Sequence, residues 1–281
     1  MLLTGPAFYE GKDPEAYALA IKQQGYKAGN CPYDLSSDDD HAIQALKESF
    51  YHQDLVFAEV GAWCNPLSPD PEEARHNQAY MVDRLKLADK LGAKTCVNVV
   101  GSKNTRYWAG PCPSGYTAAF AAEAASVMRD IIDRANPRHS CLSFEMMPYI
   151  FLDSAESYLD FLEAIDRPEQ TGVHLDICNA INSPRRYYDN SAFIEHTISL
   201  LRPYIVSVHL KDIRLKEDCG TVQFEEVRPG TGYLDYGTLL QALSTLPRDT
   251  PAVLEHLDTL DDYRQAAAWV RQEALKLDLR L

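Results

Sequence analysis

Short apolar runs and capped amphipathic stretches alternate along the 281-residue chain. Residues 2–8 predict a first strand. The helix after it takes Asp13 as N-cap and Pro14 as its first residue, and ends at Gly25. Residues 26–32 form a weak second strand. Ser36, Ser37, Asp38, Asp39 and Asp40 then load a helix start with caps and negative charge, before Ile43, Leu46 and Phe50 supply an apolar stripe. Residues 54–63 predict strand three, and Asp70-Pro71-Glu72-Glu73 opens a long helix that Gly92 stops. Residues 94–100 predict strand four. Residues 101–116, rich in Gly, Pro and Ser and holding Tyr107 and Trp108, form a long connection that serves as a lid, a substrate wall or a plain surface loop.

A helix over residues 118–135 closes at Pro137, and the order then repeats with shorter spacers. Strands five to eight are predicted at 141–147, 172–178, 205–210 and 252–256, with helices at 154–165, 192–201, 236–246 and 261–277. Strict alternation argues for parallel strands, because each parallel pair needs a helical crossover. No composition break marks a linker. Eight units in one chain of this length predict an α/β fold, a single (β/α)8 TIM barrel over residues 1–281.

Composition narrows the partners. A hydrophobic content of 46% is enough for a full core, and a net charge of −14 works against a phosphate backbone as ligand, so no nucleic acid is expected. Seven cysteines, an odd number with no C-x-x-C pair, signal neither a disulfide framework nor a zinc ribbon. Reduced thiols suit a cytoplasmic protein. The start, Met-Leu-Leu-Thr-Gly-Pro, lacks a basic region and reaches Pro6 too early for a signal-peptide core. The longest uncharged stretch, residues 107–122, is broken by Gly and Pro, so no membrane span is expected.

Candidate chemistry lies at four strand ends. Strand five ends in Ser-Phe-Glu145, strand six in Leu-Asp176, strand seven in Val-His209 and strand eight in Leu-Glu255. In a β/α barrel the reacting groups collect at the C-terminal ends of the strands, where the βα loops rise. Strand alternation puts Ser207, His209 and Lys211 on one face. Taken singly, each residue has a structural explanation: Glu145 bonds a loop, Asp176 caps a turn, Glu255 is a solvated strand end and His209 a satisfied strand-end histidine. Four such residues at the same position of consecutive strands form a pattern that those explanations do not produce. Three carboxylates and an imidazole in a low-dielectric pocket would repel and remain unpaired unless a cation lay among them. The set implies a divalent metal. Oxygen and nitrogen donors without thiolate suit manganese, magnesium or cobalt, with zinc possible; Cys178 reads as a packed thiol.

The segments Ser143-Phe-Glu145, Leu175-Asp176, His209-Leu-Lys-Asp212, Arg228-Pro-Gly-Thr-Gly-Tyr-Leu-Asp235 and Leu254-Glu255 resemble the xylose isomerase-like barrels. That family includes ketose 3-epimerases, inosose dehydratases and isomerases, and apurinic endonucleases. The resemblance covers residues 140–256 well, and the N-terminal half only in its strand and helix rhythm. It implies a metal, usually manganese or a similar ion, held by Glu145, Asp176, His209 and Glu255. It also implies a small sugar or polyol substrate and a homo-oligomer. One departure is Asn179, three residues after the strand-six Asp, where the epimerases commonly carry a His. An amide binds a hydroxyl or carbonyl but cannot take over a proton at neutral pH. The endonuclease branch needs a richer set of His and Asp ligands. Residues 226–228 lack the His expected there, which together with the acidic charge argues against DNA repair.

The expected activity is therefore that of a metal-dependent ketose or keto-sugar isomerase or epimerase working through a metal-stabilised enediolate. Glu145 and Glu255 serve as acid and base on two sides of a substrate carbon. A lyase or dehydratase on an inosose or keto-glycoside is the alternative, and a metal-binding accessory subunit a third. Asn179, Lys211, Arg228 and Trp108 are the candidate substrate contacts, although Lys211 equally suits pairing with a carboxylate. His174 reads as a core histidine or one supporting the ligands. His256 is expected to point away from Glu255. The pair Arg185-Arg186 is solvated or clamps an anion, and Trp63 stacks on a sugar or packs in the core.

Overall fold

The computed structural model describes residues 1–32 and 34–281. β1 (Leu2–Thr4) leads to α1 (Pro14–Gln23), whose cap Asp13 accepts from the Glu15 N–H at 2.9 Å. β2 (Ala28–Gly29) precedes α2 (Asp40–His52). Here Asp39 accepts from the Ala42 N–H, so the aspartate run begins a helix. β3 (Val56–Phe57), β4 (Val60–Gly61), α3 (Pro71–Leu91) and β5 (Thr95–Asn98) follow. After a 3₁₀ turn at Pro113–Tyr116 come α4 (Ala118–Ala135), β6 (Cys141–Glu145), α5 (Ala155–Ile165) and β7 (Thr171–Leu175). Two short helices, α6 (Ile177–Ala180) and α7 (Pro184–Tyr188), lead into α8 (Asn190–Leu201). The chain ends with β8 (Ile205–Leu210), β9 (Asp212–Leu215), β10 (Phe224–Val227), α9 (Tyr236–Leu243), β11 (Pro251–Leu254) and α10 (Leu260–Lys276).

The main sheet has the order β1-β11-β8-β7-β6-β5-β4, and every pair in it is parallel. β2 and β3 form a parallel pair of their own, and the Thr4 hydroxyl spans the seam between β1 and β2 by donating to the Ala28 carbonyl at 2.6 Å. The eight expected strand positions are thus filled, with β3 and β4 sharing the third. The single strand expected over 54–63 breaks at Ala58-Glu59 because its backbone changes neighbours. Ala58 N–H donates to Gly29 O and Glu59 O accepts from Cys31 N–H, whereas Val60 and Gly61 pair with β5. The helices cover the outside of the sheet, where Leu85, Met128, Ile131, Phe144 and Tyr158 are fully buried. Arg84, also fully buried, donates to Gly61 O and Leu35 O and ties α3 to the second and third strand ends. Among the described residues no helix is long and apolar enough to cross a membrane, and all seven cysteines are free thiols.

Inside the barrel the packing is more polar than the branched aliphatic layers usual there. Register pairs Val97 with Ser143 and His174 with Ser207. Thr95 donates to the Ser143 hydroxyl at 2.6 Å, and His174 Nδ1 lies 2.5 Å from Ser207 Oγ. The antiparallel hairpin β9–β10 has no counterpart in the expected element order. It starts at Asp212, whose carboxylate accepts from the Ile213, Gly230, Gly232 and Leu234 N–H groups and so pins residues 228–235 against the end of β8. A Cβ on Gly232 would lie 2.2 Å from Asp212 Oδ1, which explains the glycine in that segment.

Candidate metal and active site

β11, β8, β7 and β6 are neighbours in that order, so their C-terminal ends bring Glu255, His209, Asp176 and Glu145 together. Glu145 is the last residue of β6, and its register partner is His174. Asp176 is the first residue past β7 and caps α6: Oδ1 accepts from the Asn179 N–H at 2.9 Å, which leaves Oδ2 for the site. The capping and the ligand readings of this residue each use one oxygen. His209 stands on the same face of β8 as Ser207. Its Nδ1 lies 2.9 Å from Glu255 Oε2, 3.2 Å from Glu145 Oε1 and 3.8 Å from Asp176 Oδ2. One donor atom from each of the four residues lies within 4.8 Å of all the others.

The Lys211 ammonium enters the same cage, at 2.8 Å from Glu255 Oε2, 2.9 Å from Asp176 Oδ2 and 3.3 Å from Glu145 Oε1. Lysine and histidine thus supply two cations to three buried carboxyls. Burial pushes Glu145 up to about 7 even though Lys211 and His209 oppose it. Burial also acts to raise Asp176 and Glu255. Lys211 beside the first and His209 beside the second outweigh it, so both stay below their ordinary values, Glu255 well below. The carboxylates overcome the burial of His209 and Lys211 and hold both well above their usual range. Asp176 Oδ2 and Glu255 Oε2 are buried, and their partners are the close ion contacts with Lys211 and His209 rather than well-directed hydrogen bonds. Two such oxygens, converging with an imidazole and a third carboxyl, fit a divalent cation.

A cavity of about 650 Å³ opens above the cage, within the range of small-molecule sites. Trp63, Tyr107, Trp108 and Tyr149 line it together with Asn179, so residues 101–116 do contribute a wall. Asn179 Nδ2 donates to Glu145 Oε1 at 2.8 Å. Arg228 is outside the lining, and its carbonyl closes a turn by accepting from Thr231. Arg186 is committed to the Asp153 and Ala180 carbonyls and stacks 4.9 Å over Phe193. Cys178 is packed against the Asp212 carbonyl and burial pushes its thiol up.

The orientation expected of His256 is corrected by the structure. β11 ends at Leu254, and His256 has φ 57°, a left-handed turn that swings its ring back. Nδ1 meets Glu226 Oε2 at 2.6 Å and Nε2 lies 3.4 Å from Glu255 Oε2. Two acidic residues of the cavity escaped notice in the sequence, Glu226 on the hairpin and Glu59 between β3 and β4. A lone carboxylate inside the apolar stretch Leu-Val-Phe-Ala-Glu59-Val-Gly-Ala was the available signal for the second.

No curated protein matches the chain by sequence. Among solved structures, 3-keto-D-glucoside 4-epimerase YcjR from E. coli superposes with a TM-score of 0.69 at 14% identity, over 97% of this chain and 99% of that one. D-psicose 3-epimerase with D-tagatose from Clostridium cellulolyticum H10 gives 0.66 at 17%, over 97% and 99%. A xylose isomerase-like TIM barrel protein from Mycobacterium smegmatis in complex with magnesium gives 0.66 at 17%, over 94% and 90%. At these identities the likeness is one of fold. The family model described as xylose isomerase-like TIM barrel matches residues 19–273, and the chain belongs to that family.

Proposed function

We propose that this protein is a divalent-metal-dependent isomerase or epimerase of a neutral ketose or keto-sugar. The observation that carries the reading is the convergence of Glu145, Asp176, His209 and Glu255, of which Glu145 and Glu255 line an aromatic-walled cavity. Two epimerases of sugars among the solved structures with the same fold support it. These four residues would hold the ion. When bound, it would polarise a substrate carbonyl and acidify the neighbouring C–H.

The chain's own groups supply the proton transfers. The Glu255 carboxylate takes the proton from the carbon beside the carbonyl, and the electron pair left behind forms an enediolate. Glu145 takes up a proton from solvent and delivers it to the opposite face of that carbon for epimerisation, or to the neighbouring carbon for isomerisation, while Glu255 releases its own to solvent. Asn179 holds Glu145 Oε1 in position at 2.8 Å. Trp63 and Trp108 offer flat apolar faces to the sugar ring. Among the described residues, the cavity lining has four glutamates and neither lysine nor arginine, a balance that disfavours a phosphorylated sugar. A lyase on an inosose or keto-glycoside shares the first proton transfer. Asn179, which cannot relay a proton, is the feature that favours it.

Manganese-loaded protein, incubated in deuterium oxide with a panel of ketoses, keto-glycosides and inososes, is the direct test. Deuterium at the carbon beside the carbonyl, with all hydroxyls retained, supports isomerase or epimerase action. Loss of a hydroxyl identifies the lyase. If no substrate in the panel exchanges a C–H, the enediolate reading fails.

A further inference from the structure

We propose that Glu59 is a positioning residue for His209, taking the ring's Nε2–H so that the Nδ1 lone pair is the one offered to a metal. The inference rests on the metal reading above and concerns a residue outside the four-residue cage. Glu59 sits at the break between β3 and β4 with 3% of its side chain exposed. Its Oε1 is 3.6 Å from His209 Nε2, and its Oε2 is 3.6 Å from His174 Nδ1. The His209 ring is therefore divided, with Nδ1 toward Glu145, Asp176 and Glu255 and Nε2 toward Glu59.

An imidazole presents a lone pair on one nitrogen only when the other carries the proton, and the partner of that N–H decides which is which. Glu59 is the acceptor available to Nε2. As a packing residue the carboxylate would be a poor choice, because a buried charge costs far more than an apolar side chain of similar volume. Its neighbours support a defined position. His174 packs edge-on against the His209 ring at 3.9 Å between centroids, and Ser207 Oγ holds His174 Nδ1 at 2.5 Å. Glu59 Oε2 is buried without a hydrogen bond, so the two 3.6 Å contacts to imidazoles, just beyond hydrogen-bond range, are the polar contacts that hold this side chain.

The test compares wild type, Glu59→Gln and Glu59→Ala after removal of metal, by calorimetric titration with Mn2+ and circular dichroism for the fold. Loss of an outer carboxylate of this kind weakens metal binding by about 10–100-fold, with Glu59→Gln losing less because its amide oxygen still accepts. A second measurement needs no variant: nitrogen-15 NMR of the Zn2+-loaded wild type should find His209 protonated on Nε2 and coordinated through Nδ1. Wild-type Mn2+ affinity in both variants, or coordination through Nε2, overturns the role of Glu59 while leaving the metal site standing. A wild type that binds no Mn2+ overturns the metal reading and this inference together.

Discussion

Replacing Lys211 with methionine removes a buried ammonium while keeping most of the side-chain volume. The ammonium touches three carboxylates at 2.8, 2.9 and 3.3 Å, and 2% of the side chain is exposed. Deleting one partner from a buried charge network typically costs about 3–5 kcal/mol, because the remaining charges are left uncompensated. Glu145 can relieve part of that by staying protonated, which favours the lower end. At about 2–4 °C per kcal/mol for a chain of this order of size, the metal-free variant should melt roughly 6–12 °C below wild type. On the proposed metal reading, Mn2+ and the ammonium would contend for the same carboxylate oxygens. Mn2+ should therefore raise the melting temperature of the variant more than that of wild type, where the lysine must first move aside. Thermal melts of EDTA-treated protein with and without Mn2+ give both numbers. A metal-free variant that melts with wild type, or an equal rise for both on adding Mn2+, would refute the placement of Lys211 as the resident counter-charge.

Metal affinity should depend steeply on pH. Glu145 is raised from 4.5 to about 7 and His209 is raised as well, so both hold protons in the metal-free fold that a cation must expel. Mn2+ binding should then strengthen by about tenfold or more per pH unit, most steeply below about 7 where Glu145 as well as His209 holds a proton, and release protons, which calorimetry in buffers of different ionisation enthalpy detects. The same raised Glu145 stabilises the metal-free fold below about pH 4.5 and loses that contribution as pH climbs through about 7, a trend visible in pH-dependent melts of wild type against Glu145→Gln. Glu255→Gln should lower turnover by about 10²–10⁴-fold, with Mn2+ content measured alongside to separate proton transfer from metal loss. Gly232→Ala forces a Cβ to within 2.2 Å of Asp212 Oδ1 and should cost about 1–3 kcal/mol, read as a drop in the denaturant midpoint.

Helix starts were legible because capping is a local matter. Asp13, Asp39, Asp70, Thr117 and Ser154 accept from N–H groups two or three residues on, and no distant contact is needed for that. The strands facing both the helices and the barrel interior read as short apolar runs for the same reason. The hairpin β9–β10 did not, since Phe224-Glu225-Glu226-Val227 is half exposed and its pairing depends on Asp212 gathering the 228–235 loop.

The residue pattern by itself determined the eightfold strand and helix order, and it determined which four strand ends carry Glu145, Asp176, His209 and Glu255. Parallel order and alternation are enough to put those side chains at one end of a barrel. Only the tertiary structure decided what stands around them. Lys211 fills the cage, Glu59 faces the far nitrogen of His209, and His256 turns back through a left-handed residue toward Glu226. Those contacts join elements distant in sequence, and they depend on strand register and on one backbone φ, neither of which a local pattern of apolar and polar residues encodes.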